Sequence, residues 1–513
     1  MILSYSKASM AFITAITALC AAVSGAEVNL ALHRPYEISP KPNYPLCTDA
    51  DDVWQLTDGR KRGSNWTQRT TVGWQHCNRV PEITIDLGRV YSVSSVRIYT
   101  VSGSMAGVFE PYCWVVMLSN DGSDYRFAGF DTGDYRGDPV EKRRQSRKRT
   151  VDNIGLAGRY VKIFIQPRGE AALLFLDEVE ILGTEELDPS KGEKSVKIYR
   201  KGKVEEVLDL MERVVRLRRE IDTVRQYLDR PGSALVGLRK EELLDQLAGL
   251  GDQLKSGQVV TASWDADALE RELGLVRSAM YRAEERKQRT LHVGEPTRVL
   301  HQGWTADIVR TEEEEIDVSI WQGEYESFAI NLVNDSNDGR AYEFSIAPLM
   351  GPGYLRLDSE GILIIRKAAY VFARDKGYIA DALPLMMNRA IELAPGETVQ
   401  LWFTVHMPKG CSAGQYETAF YCSVNDPGGK RVSQETMPIR ILVHDIAIDA
   451  DDRFQTIVWA YPGVASKNSA VWAAIDNDLS RHYVNVCVVH PEDIPWPDAA
   501  AVRMKPDFQQ FDI

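Results

Sequence analysis

Residues 82–101 read EITIDLGRVYSVSSVRIYTV, and the fold class of the first third of the chain turns on them. The runs EITIDLG (82–88) and VSSVRIYTV (93–101) are crowded with Val, Ile, Thr and Tyr, which fit a pleated, half-buried surface. Runs of the same texture follow at WVVMLSNDG (114–122), RYVKIFIQP (159–167) and FLDEVEILG (175–183), with Asp-Gly, Asn-Asp-Gly and Pro-Arg-Gly turns between strands. Short strands at this spacing predict an all-β sandwich with no convincing helix inside it.

The texture changes after residue 185. Val207, Leu210, Val214, Leu217, Ile221, Val224 and Leu228 recur in steps of three and four, a heptad seam that Pro231-Gly232 stops. Further helices are predicted over 238–255 and 265–287, the latter with Leu269, Leu273, Val276 and Met280 on one face. Helices this short, joined by tight turns, predict an antiparallel bundle. Its seam reads either as a rigid spacer or as an arm for self-association. From about residue 293 to 443 the β signal returns and predicts a second sandwich, in which the acidic run 312–315 reads as a solvated turn rather than a metal site. TIVWAYP (456–462), a helix over 470–481 and VNVCVVHP (484–491) then read as strand, helix and strand, the start of a parallel sheet. Such a unit cannot cover both faces of its strands alone, so the expectation is the front part of a longer protein. The expected division is a signal peptide at 1–26, a β-sandwich at 27–184, a helical linker or coiled coil at 185–290, a second β-sandwich at 291–447 and an incomplete α/β barrel at 448–513.

Composition narrows the partners. The 513 residues carry a net charge of −13, which argues against nucleic acid as the main partner because phosphate binding needs a basic face. Against that acidity, EKRRQSRKR (141–149) reads as a solvated loop insertion, or as an attractor for sulfated or uronic polysaccharide. Lys7, the apolar run 10–23 and Ser24-Gly25-Ala26 read as a secretory signal cleaved after about Ala26, while bulky Leu19 before Cys20 argues against a lipoprotein signal. The expected location is secreted, periplasmic or cell-surface, and no stretch beyond the N-terminus is apolar enough to span a bilayer. Six cysteines then remain: Cys47 with Cys77 and Cys411 with Cys422 are candidate pairs, beside the reading of buried thiols.

NLALHRPY (29–36), QLTDGR (55–60), SNW (64–66), IDLG (85–88), LSNDG (118–122), GRYVKI (158–163) and DEVEILG (177–183) stand in the order of a discoidin domain. The region resembles the F5/8 type C family, which includes family 32 carbohydrate-binding modules. The resemblance implies a galactose-binding-like jelly roll with a structural calcium ion (Ca2+). Its ligands would be Asp58 of the Asp-Gly turn, Ser64 shortly before Trp66, and Glu178 of the final strand. One residue is inserted ahead of Trp66 relative to the commonest spacing, and a plain Asx turn without metal is the competing reading. The resemblance also implies glycan binding at one end of the sandwich. There TQRTTVGWQHCN (67–78) offers Arg69, Trp74, His76 and Asn78, with Tyr44 and Phe109 in neighbouring loops. An aromatic ring covers the apolar C–H face of a sugar, and basic or amide side chains read its hydroxyls. Trp66 and Trp114 read as core, and for Trp74 the core reading stands beside the functional one.

GEYESFAINLVN (323–334), DALPLM (381–386), PGETVQLWFTVHMP (395–408) and AGQYETAF (413–420) are similar to the region that precedes the barrel in family 123-like glycoside hydrolases, with TIVWAYP as the first barrel strand. The catalytic acids such a resemblance implies would lie beyond Ile513, and the spacing of Asp476, Asp478 and Glu492 does not mark them as acid and base. The expectation is therefore an exported, non-catalytic front half of a glycan-degrading glycoside hydrolase that binds polysaccharide or glycoconjugate glycans. The alternative is a cell-surface adhesion protein displaying a lectin-like site.

Overall fold

The computed structural model describes residues 27–447, apart from 63–64, 77–78, 104–107, 133–144, 168–172, 186–194, 201–202, 231–236, 284–288, 297–299, 301–313 and 374–376, together with Ile457–Val458, Ala473, Leu479 and Val486–Cys487. The expected signal peptide, Ser64, Cys77 and Asn78 lie outside the described residues.

The first sandwich comprises β1 (Val28–Asn29), β2 (Tyr36–Ser39), β3 (Val72–Trp74), β4 (Glu82–Ser102), β5 (Cys113–Ser119), β6 (Asp124–Thr132), β7 (Gln145–Val151), β8 (Leu156–Gln166) and β9 (Leu174–Thr184). The two runs that open the sequence reading form one strand, β4, which serves both layers. Its first part, from Glu82 to Asp86, pairs with β2 and β8, and its later part, around Val96–Ser102, pairs with β7 and β9. The change comes where the register against β8 shifts between Asp86 and Tyr91. Gly88 supplies a φ of +84° there, and its N–H donates to Asp86 Oδ1 at 2.7 Å. Strands that change sheet by such an irregularity make the corners of sandwiches. Trp114, Phe127, Phe164, Ile83 and Ile85 fill the space between the layers, and the Trp114 indole N–H donates to Asp131 Oδ2 at 3.1 Å.

Three long helices follow: α1 (Val204–Asp229), α2 (Leu238–Gln253) and α3 (Ala266–Ala283). They pack on one another, and Val207, Val214, Leu217, Ile221, Val224 and Leu228 of α1 are buried. The seam that suggested a self-association arm is thus already covered within the chain. The bundle is also joined to the first sandwich. The strand β10 (Ile198–Arg200) pairs antiparallel with β6, Phe130 N–H donates to Ser256 Oγ at 3.0 Å, and one hydrophobic core runs from β4 and β5 into α1, α2 and α3.

In the second sandwich, Leu291–Gly294, Tyr325–Val333, Thr398–His406 and Leu363–Lys367 form one sheet in that order. Ile316–Gln322, Arg431–Ala447, Gly414–Asn425, Arg340–Ile346 and Ala390–Leu393 form the other. Phe328 stacks on Phe403 at 4.7 Å, and Phe403 meets Phe420 edge-on at 5.5 Å. Helix α3 joins this sandwich closely. Ser278 Oγ lies 2.7 Å from the Asp335 carbonyl oxygen, Arg282 donates to Asn337 Oδ1 at 2.8 Å, and a Cβ placed on Gly274 would stand 2.4 Å from the Pro395 carbonyl oxygen. Beyond it, Ile457–Val458 pairs in parallel with Val486–Cys487.

The cysteine pairs are corrected. Cys411 and Cys422 are separate free thiols, because Cys422 points into the core of the second sandwich while Cys411 sits half-buried in a turn, and Cys47 is a free, buried thiol as well. Glu314 and Glu315 of the acidic run are tied to Arg289 and Arg440, as befits a surface turn.

Candidate functional site

Cys113 at the start of β5 faces Thr132 at the end of β6 and Gln166 at the end of β8, so the loops leaving these strands share one end of the first sandwich. A small satellite core of Cys47, Trp66, Val101, Val108 and Phe175 anchors that end, with Tyr44 and Leu173 packed against it. Tyr44 stands edge-on to Phe175 at 4.8 Å. The loop that carries Tyr44 is fastened to the one that carries His76. Asn43 N–H donates to the Gly73 carbonyl at 3.0 Å, and Asn43 Oδ1 accepts from Gln75 N–H at 2.8 Å. Gly73 is required by this closeness, since a Cβ there would lie 2.6 Å from the Phe175 ring and 2.7 Å from Cys47 Sγ.

Upon this base Arg69 and His76 are exposed, and His76 is held with φ at +51° in the left-handed region. Trp74 is a correction. It lies in β3, is only 1% exposed, and its indole N–H donates to the Pro40 carbonyl at 2.8 Å, so it has no face to offer a sugar. The pairing of β3 with β9 turns its ring inward. Tyr44 and Phe109 are half-buried at this end, while Leu46 at 58% and Trp54 at 45% exposure are apolar surfaces that the sequence reading passed over. Trp54 stands directly before QLTDGR, where no pattern separates an exposed ring from a core one. The basic run is corrected in part: Arg147, Lys148 and Arg149 belong to β7, and Arg149 is mostly buried with its Nε 2.6 Å from Asp131 Oδ2.

The Asp-Gly turn lies beside the last strand. Asp58 Oδ1 accepts from Arg60 N–H at 2.7 Å, closing an Asx turn. Gly59, at φ +78°, turns its N–H onto Glu178 Oε1 at 3.1 Å, and Arg62 N–H donates to Asp177 Oδ1 at 3.2 Å. Glu178 is fully buried, and its Oε2 has no hydrogen-bond partner among the described residues. Burial pushes its carboxyl up to about 8, and the charges of Asp58, Asp177 and Glu180 add to the effect against the opposing Gly59 hydrogen bond. A buried carboxylate oxygen left unpaired calls for either a proton or a cation. The oxygen donors here suit a hard ion such as calcium. Among the described residues no group of three or more His, Cys, Asp or Glu side chains is gathered to hold a metal. A calcium ion here would thus rest on Asp58 and Glu178 with loop carbonyls.

Neither a family model nor a curated protein matches the chain. Among solved structures, a family 123 glycoside hydrolase from Clostridium perfringens, described for glycolipid glycan hydrolysis, is similar at 10% identity and a TM-score of 0.31, over 38% of this chain and 36% of that one. The lectin domain of lectinolysin in complex with Lewis B antigen is similar at 18% identity and a TM-score of 0.22, over 30% of this chain and 95% of that one. A fucose-binding module from Streptococcus pneumoniae gives 18% identity and a TM-score of 0.22, over 30% of this chain and 96% of that one. The chain therefore spans little more than a third of the hydrolase and nearly all of each binding module.

Proposed function

We propose that this is an exported glycan-binding protein whose first sandwich, a discoidin-type module, holds carbohydrate at the loop end through Arg69 and His76. A calcium ion at Asp58 and Glu178 keeps that end in shape. The observation that carries the reading is the pair of exposed donors, Arg69 and His76, on either side of β3, with the His76 side tied to the Tyr44 loop through Asn43 and Gln75 over a satellite core. Covering one sugar face removes about 50 Å² from water, worth on the order of 1 kcal/mol. Two or three hydrogen bonds add about 1 kcal/mol each. The sum, about 3–4 kcal/mol, places a single site in the millimolar range. So weak a site is useful when tethered to another active unit, which favours an accessory role in glycan degradation. The test is a glycan array probed with the full chain and with the Arg69→Ala, His76→Ala double variant. Loss of signal in the folded variant supports the site, and an unchanged profile overturns it.

A further inference from the structure

We propose that the outer face of the second sandwich carries a platform for a neutral saccharide chain, centred on Trp321. The strand Ile316–Gln322 runs parallel to Arg431–Ala447, with Ser319 opposite Leu442 and Trp321 opposite His444. Ile316, Val318 and Ile320 are buried in the core, so the alternation of the strand sends Ser319 and Trp321 outward. On its other side Arg431–Ala447 pairs with Gly414–Asn425, which sets Gln415 beside Leu442. An indole at 42% exposure thus shares one surface with an imidazole, a hydroxyl, an amide and Leu442 at 46% exposure.

The backbone under the ring is fixed. Trp321 N–H donates to Glu324 Oε2 at 2.7 Å, and the Trp321 carbonyl accepts from Glu324 N–H at 3.2 Å, across a turn in which Gly323 has a φ of +82°. Ser319 Oγ lies 2.7 Å from His444 Nε2 and holds the imidazole on the same face. Immediately past the Trp321–His444 pair the register jumps, and Gln322 faces Ala447. Asp445 and the exposed Ile446 therefore stand in a bulge at the rim of the platform.

The chemistry of this surface selects the ligand. The indole face covers the apolar C–H face of a pyranose, while imidazole, hydroxyl and amide read its hydroxyls. The ionised groups around it are mostly acidic. Glu324, Glu417 and Asp445 stand against Lys409 and Arg440, and the Arg440 guanidinium is taken up by Asp317 Oδ1 at 2.7 Å and by Glu315. A sulfated or uronic chain is repelled there, whereas carboxylate oxygens accept from neutral hydroxyls. Trp321, Leu442 and Ile446 together expose on the order of 300 Å² of apolar surface, well short of the about 800 Å² per partner that a stable protein interface covers.

This platform does not rest on the loop-end reading, and the experiment keeps the two apart. Native electrophoresis through gels that hold hydroxyethyl cellulose, galactomannan or glycol chitin reads affinity at millimolar strength, with chondroitin sulfate as the anionic probe. The proteins are the intact chain, the Arg69→Ala, His76→Ala double variant, and Trp321→Ala or Trp321→Phe in each background. The double variant should still be retarded in at least one neutral gel. Adding Trp321→Ala should weaken that binding about fivefold or more, and Trp321→Phe, which keeps a ring, should recover most of it. A double variant that runs unretarded in all three neutral gels overturns the platform and leaves the loop-end reading standing. Indifference of the double variant to Trp321→Ala, or stronger retardation by chondroitin sulfate than by the neutral gels, overturns it too. Because the ring is exposed, Trp321→Ala should unfold at the same denaturant concentration and sediment as the intact chain does. A loss of stability or a changed sedimentation coefficient would mean that protein covers the ring, and would overturn the saccharide platform.

Discussion

Replacing Glu178 by Gln separates the proton from the cation at the Asp-Gly turn. In the metal-free protein the buried carboxyl titrates near 8, against an ordinary 4.5 in the unfolded chain. Between those two pH values the folded state holds a proton that the unfolded state has released, so stability falls as pH rises through the window. A shift of that size is worth on the order of 5 kcal/mol, reached at up to about 1.4 kcal/mol per pH unit. Gln keeps the oxygen that accepts from Gly59 N–H and cannot ionise, so the variant should lose this slope and become the more stable protein near pH 8 in chelator. Calcium inverts the order. A cation favours the charged form, so the native protein should gain about 2.7 kcal/mol at a hundred times the dissociation constant, while the variant gains little. Denaturant unfolding from pH 5.5 to 8.5, in EDTA and in calcium, reads all four curves. If native protein and variant show the same pH slope in EDTA, the buried-carboxyl argument fails. If calcium leaves the native curve unmoved, the metal reading fails while the carboxyl argument stands.

Five further outcomes can be checked on the same protein. Removing either Arg69 or His76 should weaken glycan binding about fivefold, the worth of one hydrogen bond, with unfolding unchanged; Trp74→Ala should instead cost about 3–5 kcal/mol of stability as a core truncation, seen in denaturant melts. Gly274→Ala would drive a methyl into the Pro395 carbonyl and should destabilise the contact of α3 with the second sandwich by about 1–3 kcal/mol, seen as faster limited proteolysis near that junction. Glu220→Gln removes the buried charge that holds Arg277 and one of the two carboxylates that hold Arg216, and should cost about 3–5 kcal/mol in unfolding experiments. Burial pushes the thiols of Cys47, Cys113 and Cys422 up to about 12, so iodoacetamide at pH 8 should spare them in the native protein; all three, and Cys411, should label in denaturant without reductant, whereas a need for reductant at Cys411 and Cys422 would restore the disulfide reading.

What could be read from the sequence was what depends on local pattern. The seam from Val207 to Leu228 announces α1, because helical spacing of apolar residues needs no partner to be recognised. The β-rich runs likewise announce strands, yet that 82–88 and 93–101 are one strand serving two layers depends on pairings with β2, β7, β8 and β9. Those partners lie far along the chain, and no local signal carries them. The same limit explains Trp74. An aromatic residue among Arg, His and Asn has the composition of a sugar site, but its direction was decided by the pairing of β3 with β9 and by a hydrogen bond to Pro40, 34 residues away. Glu178 shows the opposite case. Its place in the DEVEILG run was legible, while its unpaired oxygen follows from burial beside Asp58, which only the assembled fold creates.

The joints between the parts bear on how a weak site could serve. A flexible linker lets a bound module wander, so its benefit falls as the linker lengthens. Here β10 continues the sheet of the first sandwich, α1 shares that sandwich's core, and α3 presses Gly274 against Pro395 while Ser278 and Arg282 reach the Asp335–Asn337 turn. Each contact removes freedom between the loop end and the second sandwich without adding anything to the affinity for glycan. On the proposed reading, a millimolar contact held at a fixed distance gives the residues after the second sandwich a high local concentration of sugar at one place. Loosening the joint through Gly274→Ala should therefore leave glycan binding by the chain unchanged, yet lower the rate of any tethered activity on insoluble polysaccharide more than on a soluble oligosaccharide. Equal losses on both substrates would mean that the rigid joint serves stability alone.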